Sequence, residues 1–96
     1  MVNNLKYTYH AEKRLKQRGI PPSVVDFIIS YGQCVNTYAD SKHFIKKESL
    51  KFLKSEFSAF IKKYEKQLKN TAIVCHDDKV VTVMKVTKKI RMDYAY

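Results

Sequence analysis

The spacing of apolar residues predicts a helix over residues 9–18. Ala11 and Leu15 lie four residues apart among good helix formers, which places both on one face. Gly19 follows directly, and glycine is a common stop at a helix C-terminus. The first helix is therefore short and has one narrow apolar stripe.

Two further helices are predicted from start signals and apolar periodicity. Pro21 and Pro22 cannot continue the first helix but suit the first turn of a second, which is mostly apolar and ends before Gly32. A third, long helix is predicted over about residues 48–68, with several lysines off its apolar stripe. That stripe contains Leu50, Leu53, Phe57, Phe60, Ile61, Tyr64 and Leu68.

Alternation of apolar and polar residues predicts two hairpins. Between residues 33 and 46, the segments CVNTY and KHFIK alternate around the turn-like ADS. Later, TAIVCH and KVVTVMKV flank Asp77 and Asp78, and their β-branched residues are typical of a central antiparallel hairpin. The element order therefore predicts an α+β domain, in which two short N-terminal helices and one long helix pack on an antiparallel sheet of about four strands.

No repeat or linker divides the chain, and a length of 96 residues suits one domain. We therefore expect residues 1–96 to form a single unit. No apolar run approaches the roughly 20 residues of a membrane-spanning helix, and the N-terminus has no apolar signal-peptide core. These features predict a cytoplasmic protein without a membrane partner, and they do not indicate its oligomeric state.

The chain is strongly basic. Nineteen Lys and Arg residues stand against nine Asp and Glu residues, giving a formal net charge of +10 and a pI of ≈ 9.7. The excess is spread from Lys6 to Arg91, so the folded surface itself must be cationic. Such a surface attracts polyanions, which favours RNA, the ribosome or an acidic protein as partner over a small neutral substrate. The alternative is that the charge only keeps the protein soluble.

One histidine and two arginines are spaced four residues apart on the first predicted helix. His10, Arg14 and Arg18 fall within an arc of roughly 80° beside the apolar stripe, and we call these three residues the basic row. Their position predicts that they emerge where the helix meets the sheet, partly removed from water, where cations attract phosphate more strongly. His10 adds a group that exchanges a proton near neutral pH.

The basic row has the side-chain types needed for RNA cleavage without a metal. A base takes the 2′-hydroxyl proton, an acid protonates the leaving oxygen, and cations stabilise the charged phosphorane. The alternative is structural: His10 packs or caps at the helix start, while the arginines pair with acids such as Glu12 or Asp26. Spacing alone favours this structural alternative.

Metal chemistry has weak support in the sequence. The one close acidic pair, Asp77 and Asp78, lies in a predicted turn beside Lys79 rather than in a carboxylate cluster. The histidines and cysteines outside the basic row lack any CxxC or HxxxH spacing, so we expect no zinc site and no cofactor. These residues are Cys34, His43, Cys75 and His76. Because no secretion signal is present, we expect the two cysteines to be buried free thiols rather than a disulfide.

A hydroxyl in the last predicted hairpin has two alternative roles. Thr82 lies within VVTVMKV, where alternation separates Val81 and Val83 from Val80, Thr82, Met84 and Val86. Its hydroxyl either bonds a backbone carbonyl or orients a bound phosphate. Scattered basic residues are expected to extend the nucleic-acid contact beyond the basic row, although such residues are more often simply solvated. They are Lys13, Lys46, Lys85, Lys88 and Arg91.

Three segments, YHAEKRLKQRGIPPSVVDFIISYG, KHFIKKESLKFL and IVCHDDKVVTVMKVTKKIR, together carry a family resemblance. They resemble a small bacterial family of uncharacterised domains, whose pattern opens with H-A-x-x-R-x-x-x-R-G-I and closes with a V-V/I-T-V strand. That family looks related to RelE/ParE-like toxins and to the wider barnase, EndoU, colicin and RelE fold. The chain departs from the pattern at Pro21, Pro22 and Lys79, none of which is a candidate site residue.

The resemblance implies a RelE-like fold and a toxin-like, metal-independent ribonuclease acting on RNA or ribosome-bound mRNA. It implies His10 as acid or base, Arg14 and Arg18 as phosphate stabilisers, and Thr82 as a positioning group. It also implies an acidic antitoxin, which a charge of +10 would suit. The alternative is a non-catalytic module on the same fold that binds nucleic acid or protein.

Overall fold

The computed structural model describes residues 5–85 and arranges them as four helices and five strands. The helices are short, and two of them lie in the sequence between the third and fourth strands, which pair with each other in the sheet. In chain order the elements are β1 Lys6–Tyr7, α1 Tyr9–Arg18, α2 Pro22–Tyr31, β2 Gln33–Asn36, β3 Ser41–Phe44, α3 Lys47–Leu53, α4 Ser58–Asn70, β4 Thr71–His76 and β5 Lys79–Lys85.

The five strands form one mixed sheet in the order β1-β5-β4-β3-β2. The pairs β2–β3, β3–β4 and β4–β5 are antiparallel, whereas β1 runs parallel to β5. The predicted α+β class is confirmed. The four predicted antiparallel strands are β2 to β5, and the prediction lacked the fifth strand, the parallel β1, because its two residues are too few to show alternation.

The predicted long helix over residues 48–68 is wrong, since two helices occupy that segment. α3 ends at Leu53, and the backbone N–H of Phe57 donates to the carbonyl of Leu53 at 3.0 Å before α4 begins. Phe57 itself has a non-helical backbone, with φ −121 and ψ 37. Leu50, Ile61 and Leu68 still belong to one core cluster, so the apolar periodicity passes through the break without revealing it.

α1 is fixed to the sheet by its N-cap residue, Thr8. The Thr8 hydroxyl accepts a hydrogen bond from the backbone N–H of Ala11 at 3.1 Å, which caps the helix. The same hydroxyl donates to the carbonyl of Val81 at 3.2 Å, and the Thr8 N–H donates to the carbonyl of Val80 at 3.0 Å. At the other end, Gly19 adopts φ 62, as the sequence prediction of a glycine stop requires.

All four helices contribute to one hydrophobic cluster on the sheet, so they cover the same sheet face. The strands contribute Ile73, Cys75, Val80 and Val83, and α2 contributes Val24, Val25, Phe27 and Ile28. A smaller cluster of Phe44 and Ala72 lies apart from this core, with Val35 packed against it. Because Ala72 and Ile73 are neighbours on β4, these clusters lie on opposite faces of the sheet.

Candidate functional site

The basic row lies along α1, which packs against β5 and β1. His10 and Arg18 are exposed, whereas Arg14 is half-buried. The Nε of Arg14 is buried and has no hydrogen-bond partner within residues 5–85. A buried polar group without a partner is rare in proteins and has a substantial desolvation cost, so Arg14 is the row residue with the strongest demand for an acceptor.

The structural alternative of ion pairing is not observed in the described part of the chain. Among residues 5–85, neither Arg14 nor Arg18 forms a salt bridge, and neither Glu12 nor Asp26 is bonded to them. The row is flanked by exposed Lys13 and by Tyr9, whose side chain is 81% exposed. This side of α1 therefore offers cations, an imidazole and an aromatic ring to an incoming ligand.

Thr82 lies on the sheet face opposite the helix-covered core. It pairs with Val74 across the β4–β5 ladder, while the next pair, Ile73 and Val83, belongs to that core. Adjacent strand residues point to opposite faces, so the Thr82 side chain points away from the buried side of α1. The Thr82 hydroxyl donates to the carbonyl of Val83 at a long 3.4 Å. The described geometry does not join Thr82 to the basic row in one pocket.

The remaining predicted contact residues are dispersed. Lys13 is exposed on α1 beside the basic row, and Lys85 is exposed at the end of β5. Lys46 is half-buried at the start of α3, where its backbone N–H donates to the side-chain oxygen of Gln33 at 3.0 Å. Lys88 and Arg91 lie outside the described residues. Of these lysines, only Lys13 shares an element with the basic row.

Sequence reasoning missed a pocket of ≈ 890 Å³ near the β4–β5 turn, which we call the histidine pocket. Within it, His43 Nε2 lies 3.1 Å from Ser41 Oγ, and the same nitrogen lies 4.0 Å from Cys34 Sγ on β2. Burial lowers the pKa of His43 below its usual 6.5, so the ring is neutral near pH 7. The available signal was that Ser41 and His43 are two residues apart on one strand, which places them on the same face.

His76 joins two turns at the rim of the histidine pocket. Its Nδ1 lies 2.7 Å from the carbonyl of Ala39 and 3.2 Å from a carboxylate oxygen of Asp40. Its Nε2 lies 3.3 Å from Asp77, which adopts φ 48 in the hairpin turn. The Ala39 carbonyl first, and then the two carboxylates, raise the pKa of His76 above its usual 6.5.

The opposite pKa shifts of the two histidines predict opposite effects of acid on stability. The folded-state pKa of His76 is raised, so its stabilisation is fully present below the unfolded-state pKa of about 6.5 and is lost as the pH rises through the folded-state value. We expect His76→Gln to lose more unfolding free energy at about pH 5.5 than at about pH 8.5, measured in urea.

His43→Gln provides the matched control for this pH series. The folded-state pKa of His43 is lowered, so the wild type becomes less stable relative to His43→Gln as the pH falls below about 6.5. If the loss of unfolding free energy changed with pH in the same direction in His76→Gln and His43→Gln, the local surroundings of the two histidines would not control their pKa values.

The two thiols are free, but only one of them is buried. Cys34 is exposed, contrary to the prediction of two buried thiols, whereas Cys75 is buried. Burial, together with nearby Cys34 and Asp78, raises the pKa of Cys75 to about 11. Within residues 5–85, no group of three or more His, Cys, Asp or Glu side chains is arranged to hold a metal ion.

We expect a disulfide reagent such as Ellman's to distinguish the two cysteines at about pH 8. Cys34 should react promptly because it is exposed, whereas Cys75 should react only after unfolding because it is buried and about a thousandth ionised at that pH. In native Cys34→Ser the fast phase should disappear. A fast phase that survives in this variant would mean that Cys75 is accessible.

Compared with protein-family models, with curated proteins and with solved structures, the chain matches none of them. Over the part of the chain that the structure describes, no helix is both long enough and apolar enough to cross a membrane.

Proposed function

We propose that this chain is a toxin-like ribonuclease, which binds RNA or ribosome-bound mRNA along α1 and cleaves it without a metal. The observation that carries the proposal is the half-buried Arg14, whose Nε has no partner among residues 5–85. Because the Nε is enclosed, an RNA phosphate would bond to the exposed part of the half-buried Arg14 side chain. Hydrogen bonds between charged groups are the strongest that such a site can make. The net charge of +10 favours a polyanion over a small ligand.

In this proposal each member of the basic row has a chemical role. Arg14 and Arg18 bind the phosphate and stabilise the negative charge that grows in the transition state. His10 is exposed at the start of α1. It either takes the proton of the 2′-hydroxyl or protonates the leaving 5′-oxygen, and solvent carries out the other proton transfer. Cleavage then leaves a 2′,3′-cyclic phosphate and a 5′-hydroxyl. The exposed Tyr9 ring is available to stack on an unpaired base.

A second candidate function is RNA binding without catalysis through the same surface. Its support is the position of Thr82, which points away from the buried side of α1 and therefore leaves the row without its expected hydroxyl partner. In addition, His10 and Arg18 are exposed rather than enclosed. Residues on an open surface suit RNA binding better than they suit catalysis, which usually takes place in a pocket shielded from water.

Inducible expression in a bacterium tests the proposal. The wild type should stop growth and degrade bulk RNA, whereas His10→Ala and Arg14→Ala should do neither at equal soluble level. Lys16→Ala is the matched control, since it removes an exposed cation from the same helix outside the basic row. An acidic antitoxin, if it is the natural partner, should restore growth when it is co-expressed.

The outcomes separate the two functions. Soluble wild type that leaves growth and RNA intact, yet binds RNA in vitro, would favour the non-catalytic candidate. Equal toxicity of all four proteins would contradict the assignment of the basic row. Loss of toxicity in Lys16→Ala as well would indicate a general effect of charge rather than a site.

A further inference from the structure

A groove between α3 and α4 gathers four lysines around one carboxylate. We call it the lysine groove; it has a volume of ≈ 300 Å³, and its apolar floor is formed by Leu50 and Ile61. Its polar lining comes from both helices. The polar residues are Lys47, Lys51, Lys54, Glu65 and Lys69.

Glu65 is the only acid in the lining of the lysine groove. Its two oxygens lie 3.2 Å from Lys54 Nζ and 3.6 Å from Lys69 Nζ. The hydrogen bond and charge of Lys54, followed by the charge of Lys69, lower the pKa of Glu65. Lys47 and Lys51 form no salt bridge within residues 5–85. The groove lining thus holds four lysines and one carboxylate, so it has excess positive charge.

α4 lines the lysine groove and also contacts the end of α1. The side-chain amide of Gln67 donates to the carbonyl of Gly19 at 2.7 Å, and Gly19 directly follows Arg18 of the basic row. Lys63 lies one turn before Gln67, and Lys66 precedes it; both are exposed. The helix that lines the lysine groove therefore also contacts the chain at the end of the basic row, and it carries further exposed lysines.

We propose that the lysine groove is a second contact for the RNA backbone, occupied by phosphates of a strand already bound at the basic row. This inference rests on the proposed function and adds the direction in which the strand runs, across α4 toward α3. Its lysines are cations on flexible stems over an aliphatic floor, and no aromatic ring lines the groove. Such a lining binds phosphate without reading a base.

Glu65 sets the strength of this contact. As long as it holds Lys54 and Lys69, two of the four ammonium groups are partly neutralised, and an arriving phosphate must compete with the carboxylate. Glu65→Gln removes the competing charge without changing the size of the side chain. The variant should therefore bind RNA more tightly than the wild type, which distinguishes this role from that of an acid whose loss only destabilises the fold.

Fluorescence anisotropy with a labelled, single-stranded 2′-O-methyl oligoribonucleotide tests this proposal, because that probe lacks the 2′-hydroxyl needed for cleavage. Lys47→Gln/Lys51→Gln should bind about 10-fold more weakly, with a salt dependence shallower by roughly 1.4 for two lost phosphate contacts. Glu65→Gln should bind roughly 3-fold more tightly at low salt. The charge-matched control is Lys6→Gln/Lys79→Gln, whose exposed lysines pair across β1 and β5 and lie outside the lining of the lysine groove.

The result separates this inference from the proposed function. If Lys47→Gln/Lys51→Gln binds RNA as tightly as the charge-matched control while Arg14→Ala binds weakly, the lysine groove is not a contact for RNA. The proposed site on α1 is then still supported. If the wild type does not bind the probe, both are wrong. Weaker binding by Glu65→Gln at an unchanged melting temperature would also overturn the role given to Glu65. Should Glu65→Gln unfold, the comparison between the two double variants still decides.

Discussion

Replacing Arg14 with alanine is expected to lower the rate of RNA cleavage about 100-fold or more. The change removes a positioned donor to the phosphate, and loss of one such donor typically costs two to three orders of magnitude in rate. Arg14 is the row residue that is half-buried and has a buried, unpartnered Nε in the described structure. Single-turnover cleavage of a labelled RNA, with a chelator present, measures the effect.

Two companion variants assign the role of Arg14 more closely. Arg14→Lys should recover only part of the rate, because an ammonium keeps the charge but cannot form two parallel hydrogen bonds to a phosphate. His10→Ala should cleave slowly yet bind RNA almost as tightly as the wild type, since a proton donor contributes mainly in the transition state. A normal rate in Arg14→Ala, with Lys16→Ala equally active, would place the chemistry elsewhere.

Replacing Gly32 with alanine is expected to lower the unfolding free energy by about 3 kcal/mol, because close-packed sites tolerate added atoms poorly. A Cβ at this position would lie 2.5 Å from the carbonyl oxygens of both Ile28 and Phe44, and 3.1 Å from Ile45. Both oxygens belong to the backbone, so α2 and the end of β3 would have to separate. Urea denaturation at fixed pH measures the loss.

Gly19→Ala is the matched control for this steric effect. Gly19 has φ 62, which alanine adopts with strain, but a Cβ there has no atom within 4 Å. The expected loss is therefore about 1 kcal/mol, from backbone conformation alone. A larger loss for Gly19→Ala than for Gly32→Ala would contradict the close approach of α2 and β3.

Local signals predicted the first two helices and the two hairpins. Gly19 and the proline before α2 act through their own backbone restrictions, so the bounds of α1 and α2 follow from the sequence. The break between α3 and α4 was missed because both helices bury residues in the same core cluster. β1 was missed because its pairing with β5 joins Lys6 to Lys79, a contact that no local pattern encodes.

The candidate site was predictable only where its residues lie on one element. Helical spacing gathers His10, Arg14 and Arg18 without reference to the rest of the fold. Whether Thr82 joins the site depends on which face of β5 the helices cover. The sequence does not reveal this, because the register irregularity at Val74 and Cys75 leaves no local pattern. The lysine groove required the turn between α3 and α4, because that turn brings two separate lysine-bearing helices together.

The central claim is that the basic row of α1 binds the RNA phosphate. Nuclear magnetic resonance titration of the labelled protein with the 2′-O-methyl oligoribonucleotide locates the contact directly. We expect the largest amide shifts over residues 8–19, with further shifts in α3 and α4 at the lysine groove. Shifts confined to the histidine pocket around Ser41 and His43, with α1 unchanged, would contradict it.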